Sequence, residues 1–391
     1  MQHWTVRLPW LDLHCALAEG PFYEKETGTI RFVDIKKKHI HTVSLSQGIT
    51  SLKTTQLDIC PTVTADIEGV DPRERILLGV KYGLAILDRK TGTYEMLAPF
   101  NTPNNERLRS NDGAADPHGF FWVGNMTDFG HGEFQPEGAL LRFGKDTKEN
   151  VVKDLTIPNS IGWSPDNKVM YYTHSKARQI FAFDYDVVSG AVSNHRLFYQ
   201  HPTSGEPDGF RIDVDGNMWT AVYGEAKVLK INREGEVVGE ISLPTRNITC
   251  VQFAGTELVI TSAADEDGED QLSRDYGGAL FRVDVGTTGL EQFKFKIRHD
   301  EVLYLMIQQV LSRIQPTHHI DTRMHIKHAY KRVPILSQPI AAPKPKPNHD
   351  SRRDWPWLFG HAHTGTFGTM VAFKLPHPCH AKTHRHEPNH P

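Results

Sequence analysis

From Met1 to Ile297 the apolar residues fall in short runs that are rich in β-branched and aromatic side chains. Clusters of Gly, Asn, Asp and Pro separate the runs, and helical spacing is almost absent. Such runs between turn-forming clusters predict strands. One unit recurs: a tight turn, a short apolar strand, a second turn and another strand. It begins with GTIRFVDIKKKHIHTVSL at Gly28 and RILLGVKYGLAILDRKTGTYEML at Arg75, then GFFWVGNMTDF and GALLRF from Gly119. The remaining copies are KVMYYTHSKARQIFAFDYDVVSGAV from Lys168, NMWTAVYGEAKVLKINREGEVV from Asn217, and ELVITSAADE with GGALFRVD from Glu257. The turns DPRER, DPHGF, SPDNK and DVDGN lie 45, 48 and 49 residues apart, the size of a four-stranded blade rather than of a helical repeat. Six such units predict an all-β, six-bladed propeller over 1–297. The alternative, a large β-sandwich, would not space six similar units so evenly.

The pattern changes after Ile297. Residues 1–297 carry 31 basic and 41 acidic side chains, whereas 298–391 carry 13 and 6, with 13 of the 22 His and 11 of the 24 Pro. A stretch such as AAPKPKPNHDSRRDWPW has no apolar period and repeatedly lacks backbone donors, so this extension reads as irregular and largely disordered. Its exception is 300–315, where Leu303, Met306, Ile307, Val310, Leu311 and Ile314 follow helical spacing behind Asp300 and before Pro316. The His-rich end has no spacing that suits an ordered metal site.

Composition narrows the function classes. The formal charge is −3, and no apolar run approaches the roughly 18 residues of a spanning helix. The N-terminus shows no secretory h-region, so the expected location is cytoplasmic, with no membrane partner. Cys15, Cys60, Cys250 and Cys379 are scattered, which suggests neither a disulfide framework nor a thiolate zinc site. The sequons at Asn125 and Asn247 mean little without secretion. The basic extension carries no nucleic-acid recognition motif, so no nucleic-acid partner is expected.

The polar residues carry the chemical signal. Eight residues before the turn positions Gly119, Asn167 and Gly216 stand Asn111, Asn159 and Asp208, and Glu19 stands nine before Gly28. Taken singly, Glu-Gly, Asn-Ser and Asp-Gly are ordinary turn dipeptides. In common register, they predict four oxygen-bearing side chains converging on one mouth of the channel. Carboxylates and amides without His or Cys suit Ca²⁺, Mg²⁺ or Mn²⁺. Arg109, two residues before Asn111, shares its face on an extended segment. It is either a surface Arg or a substrate-binding guanidinium. DEDGED at 265–270 reads as a solvated acidic loop and DVDGN at 213–217 as a turn, since the latter lacks a calcium loop's bidentate Glu.

The motifs AEGPFYEKETGTIRFVDI, RSNDGAADPHGFFWVGNM, PNSIGWSPDNKVMYYTHS and EPDGFRIDVDGNMWTAVYG resemble those of the regucalcin (senescence marker protein), gluconolactonase and luciferin-regenerating enzyme family. The resemblance covers about 285 residues from Leu13 to Ile297. It implies a divalent metal, with Zn²⁺ joining the candidates, on Glu19, Asn159 and Asp208. It implies substrate contacts from Arg109 and Asn111, and proton transfer by Asp208. Some members carry an acidic side chain for sugar hydroxyls where this chain has Phe129, with Asp128 beside it as the substituted contact. Phe129 therefore favours a less polar lactone. Family chains end near Ile297, so the extension is a departure.

The resulting expectation is metal-dependent hydrolysis of a small lactone by a monomer, the cation polarising the ring carbonyl and activating water. No GxSxG nucleophile elbow supports a serine mechanism. Phosphotriester hydrolysis on the same site and a non-catalytic calcium-binding scaffold are the alternatives.

Overall fold

The computed structural model describes residues 1–100, 105–144 and 147–297. The helix expected at 300–315 and the rest of the 298–391 extension lie outside the described residues.

Six antiparallel sheets follow one another along the chain, each a blade whose first strand is innermost. The inner strands are Ala18–Glu24, Pro61–Ala65, Leu108–Ala115, Pro158–Trp163, Glu206–Ile212 and Ile248–Ala254, for blades 1 to 6. The predicted propeller is therefore present. The units read from the sequence capture the middle strands best, because these are apolar on both faces: Phe121–Thr127 is buried at every position. Outer strands such as Lys148–Leu155 are mostly exposed and polar, and they merge into loop composition when only apolar runs are counted.

Each pair of neighbouring blades encloses its own apolar cluster. Blades 2 and 3, for example, pack Val63, Leu77 and Leu84 against Phe121, Val123 and Phe143, and the final segment adds Phe295 and Ile297. Blade 6 has only three strands, and the ring closes there through the N-terminal segment: Leu11 bridges Leu280 and Leu17 bridges Ala263. Gln2–Thr5 adds a parallel fifth strand to the edge of blade 5.

The turns that set the repeat have a common build. Gly119, Asn167 and Gly216 all have left-handed φ, at 85°, 57° and 84°. In blades 3 and 5 a buried aspartate organises the turn. Asp116 accepts from the His118 and Phe120 backbone N–H groups and from Trp122 Nε1, while Asp213 accepts from Asp215, Asn217 and Trp219 Nε1. DVDGN is thus a turn, as expected.

The acidic stretch 265–270 differs in part from its expected form. Asp265 is buried, receives Arg246 at 2.7 Å and Ser273 at 2.5 Å, and is a structural ion-pair partner rather than a solvated residue. Asp270 caps the short helix Gln271–Tyr276 by accepting from Leu272 N–H. Asn125 and Asn247 are buried, and their amides are engaged by Ala139 N–H and Ala264 O. Among the described residues no helix is long and apolar enough to cross a membrane.

Candidate functional site

All six inner strands slip register against their neighbours near the same end. The slips fall between Glu19 and Phe22, Pro61 and Val63, Ser110 and Gly113, Pro158 and Ile161, Pro207 and Phe210, and Ile248 and Cys250. A bulge re-aims side chains out of the ladder. The residues at these slips are Glu19, Thr62, Asn111 with Asp112, Asn159, Asp208 and Thr249, and all are buried. Hydroxyls near the slips lace inner strands in pairs. Thr62 Oγ1 lies 2.7 Å from Ser110 Oγ, Ser160 Oγ receives Phe210 N–H at 3.0 Å, and Thr249 Oγ1 donates to Ala18 O at 2.6 Å.

The remaining slip residues form an acidic cluster. Asn159 Nδ2 donates to Asp208 Oδ1 and, at 3.1 Å, to Ser175 Oγ, while its own Oδ1 accepts from Ser160 N–H at 2.9 Å. Glu19 accepts from Gly20 N–H at 3.1 Å. Burial, aided by the neighbouring Asp112, pushes the Glu19 carboxyl up to about 8. Burial, with Glu19 and Asp112 adding like charge, raises Asp208 well above the usual carboxylate range.

Asp112 itself escapes the sequence register, which aligns Asn111 with Asp208. The bulge holds two residues here, so both enter the mouth. Asp112 is buried, its Oδ1 accepts from Gly113 N–H at 2.8 Å, and its Oδ2 has no partner. Burial raises this carboxyl too. The Asp-Gly pair was its signal, because Asp208-Gly209 and Glu19-Gly20 share the step from acid to glycine.

Arg109 is a buried guanidinium, not a surface one. Its Nη1 donates to Ser110 O at 2.7 Å and to Asn111 Oδ1 at 3.0 Å, while Nε lies 3.7 Å from Asp128 Oδ1 and has no hydrogen-bond partner. Burial pulls Arg109 down to about 10, against the opposing pull of Asp128 and Glu19. Asn111 Nδ2 donates to Pro158 O at 3.1 Å and ties blade 3 to blade 4. Asp128 is buried and pairs with Lys81 at 2.8 Å, a partner sequence reasoning missed. Phe129 lies under the Arg109 guanidinium, 4.4 Å from carbon to ring centre. It also lines an adjoining groove of about 540 Å³ with Lys36, Lys38, Cys60, Tyr82 and Tyr94.

Among the described residues no three His, Cys, Asp or Glu side chains stand in an arrangement typical of a metal centre. The sequence-derived trio includes an amide, Asn159, with two of the carboxylates. All the sequence-derived candidates are buried, and hydrogen bonds and charge interactions sort them into two groups. Glu19, Asn159 and Asp208 stand with Asp112, while Arg109 and Asn111 stand with Asp128.

Residues 17–264 match the SMP-30/gluconolactonase/LRE-like region. A pentonolactonase of Haloferax volcanii is 31% identical over 303 residues, covering 74% of this chain and 97% of its own. Regucalcin of Danio rerio is 29% identical over 299 residues, covering 71% and 94%. A luciferin-regenerating enzyme structure superposes with a TM-score of 0.66 at 29% identity, covering 73% of this chain and 97% of its own. Matched across its blades and through the segments that carry the acidic mouth, the chain belongs to the SMP-30/gluconolactonase/LRE-like family.

Proposed function

We propose that the chain hydrolyses a lactone, with a divalent cation, at the mouth formed by Glu19, Asn111, Asp112, Asn159 and Asp208. The observation that carries this reading is the convergence of three buried carboxylates and two amides beside a buried guanidinium, all from one chain, so that a monomer suffices. The substrate class is supported by relatives whose names are pentonolactonase and sugar lactone lactonase.

The donor set fits a hard cation. It is oxygen-only, Asp112 Oδ2 lacks a partner, and carboxyls raised by burial and mutual repulsion are the groups a cation would relieve. Glu19, Asn159 and Asp208 would hold it. Calcium, zinc, magnesium or manganese bound there supplies Lewis-acid stabilisation of the carbonyl oxygen and an acidified water.

The chain's own groups do the rest. The Arg109 guanidinium orients a substrate oxygen, and Asn111 Oδ1 fixes the guanidinium in place. Asp208 takes a proton from the attacking water and returns it to the ring oxygen as the acyl C–O bond breaks, leaving a hydroxy acid. Phe129 gives the ring an apolar wall, with Asp128 as a neighbouring acceptor for hydroxyls.

The test is turnover of aldonic, aliphatic and aromatic lactones and one phosphotriester by metal-stripped protein, with Ca²⁺, Mg²⁺, Mn²⁺ or Zn²⁺ restored singly. Metal-dependent lactone hydrolysis is expected. Tight metal binding without lactone turnover, or turnover of the phosphotriester alone, would overturn the reading.

A further inference from the structure

Beyond the bulges, the inner strands continue toward the opposite mouth and enclose a cavity of about 260 Å³. Its wall is largely apolar, with Ala114, Ile161, Trp163, Phe210 and Ile212 from blades 3, 4 and 5. Leu290 lies over it, held by its N–H to Ile212 O at 3.0 Å, and the exposed Pro165 and Glu291 mark the opening. None of these residues belongs to the acidic mouth.

One cationic side chain, Arg211, lines this cavity. Its Nη1 donates to Phe210 O at 2.8 Å, its Nε to Gln252 Oε1 at 2.9 Å and its Nη2 to Pro21 O at 3.3 Å. Gln292, also on the wall, donates Nε2 to Gln252 Oε1 at 2.7 Å; with the amide turned over, its oxygen instead accepts from Arg211 Nη2 at 3.2 Å. Among the described residues no carboxylate stands within salt-bridge distance of Arg211. A guanidinium has five N–H donors in a planar fork. The hydrogen bonds of Arg211 go only to neutral carbonyl and amide oxygens, while the buried Glu19 and Asp112 carboxyls act on it from beyond salt-bridge distance; in a channel, charge-assisted pairing is stronger than in water.

An apolar chamber with a single guanidinium and a neighbouring amide has the make-up of a small-molecule site. We propose that the cavity is a second ligand site, taking a small monocarboxylate with an apolar or aromatic body. The carboxylate sits on Arg211 in place of the Gln292 amide, and the body packs against Phe210, Trp163 and Leu290.

The test is calorimetric titration of the full chain with benzoate and with benzamide, its neutral counterpart. Benzoate is expected to bind once per chain, at least about ten-fold tighter than benzamide, since a charged pair replaces a neutral one. Ala114→Leu fills the cavity from the inner-strand wall and is expected to abolish binding. Leu290→Trp, on the overlying segment, should do the same without changing an inner-strand residue. Arg109→Ala, at the other mouth, should leave it intact. No benzoate binding, equal affinity for benzamide, or loss in Arg109→Ala with retention in both cavity variants would overturn the proposal. The readout is binding at the opposite mouth, so its failure leaves the lactone reading standing.

Discussion

Glu19, Asp112 and Asp208 show how burial and like charge act together. Each carboxyl is removed from water, Asp112 raises the proton affinity of Glu19 and Asp208, and Glu19 raises that of Asp208, an unfavourable arrangement that Arg109 and Arg211 offset only in part and that an added positive charge would relieve. Asp208→Ala should therefore abolish metal binding by calorimetry and lower lactone kcat/KM by at least about 1,000-fold, since it removes a ligand and the proton carrier together. Retention of both would remove Asp208 from the site. Arg109 acts differently, through position. Arg109→Lys keeps the charge but loses the planar fork that Asn111 Oδ1 and Ser110 O hold in place. A fall of about 100-fold in kcat/KM is expected with metal affinity unchanged. A parallel loss of metal would place Arg109 in the ligand scaffold instead.

At the scale of the element, the turn aspartates are the most testable feature. Asp116 satisfies two backbone N–H groups and the indole of the fully buried Trp122, and Asp213 does the same for Trp219. Removing either acceptor leaves buried donors unpaired, so Asp116→Ala and Asp213→Ala should each cost about 2–4 kcal/mol in denaturant melts. The exposed Asp166, in the equivalent SPDNK turn, should cost less than about 1 kcal/mol.

Glu225 supplies a pH test. Burial pushes its carboxyl up, but Thr203, Gly205 N–H, His201 and Lys227 outweigh this and bring it from 4.5 to about 2. The folded chain thus resists a proton that the unfolded chain accepts. Stability from Glu225 is full above about pH 4.5 and is lost as pH falls toward 2. After allowance for solvent screening, it amounts to something on the order of 1–2 kcal/mol. Melts of Glu225→Gln should be lower than wild type at pH 6 and converge with it near pH 2.

These same elements explain what could be read before folding. The strands and the turn spacing were legible because two-faced burial and left-handed turn positions, filled by Gly119, Asn167 and Gly216, leave strong local marks. The oxygen cluster was legible as a register of Glu19, Asn111, Asn159 and Asp208. Asp112 was not, because the second slip position is Ser160 in blade 4 and Gly209 in blade 5, so no acidic residue repeats there along the chain. Nor were the Lys81–Asp128 pair and the guanidinium of Arg109 over Phe129, since both join segments through the ring geometry rather than through spacing along the chain.

Among the described residues six interblade clusters form a ring, which joins blade 6 to the N-terminal segment through Leu11, Cys15, Ala18 and Leu280. The proposed ligands Glu19, Asn159 and Asp208 come from blades 1, 4 and 5, so a bound cation would be shared by three inner strands. Binding to the folded ring alone stabilises it by RT ln(1 + [M]/Kd), about 2.7 kcal/mol when free metal stands 100-fold above Kd. For a ring of this size that corresponds to a rise of roughly 4–5 °C in Tm. Calorimetric melts of the metal-stripped protein should show this rise on adding the activating cation, and no rise for Asp208→Ala. Because the ligands are buried, the rise should persist at high salt, where surface ion pairs are screened. A gain shared by wild type and Asp208→Ala would mean that the cation binds elsewhere. A gain that vanishes in salt would mean that it binds at the surface, and either result separates metal stabilisation of the ring from the mouth on which the lactone reading stands.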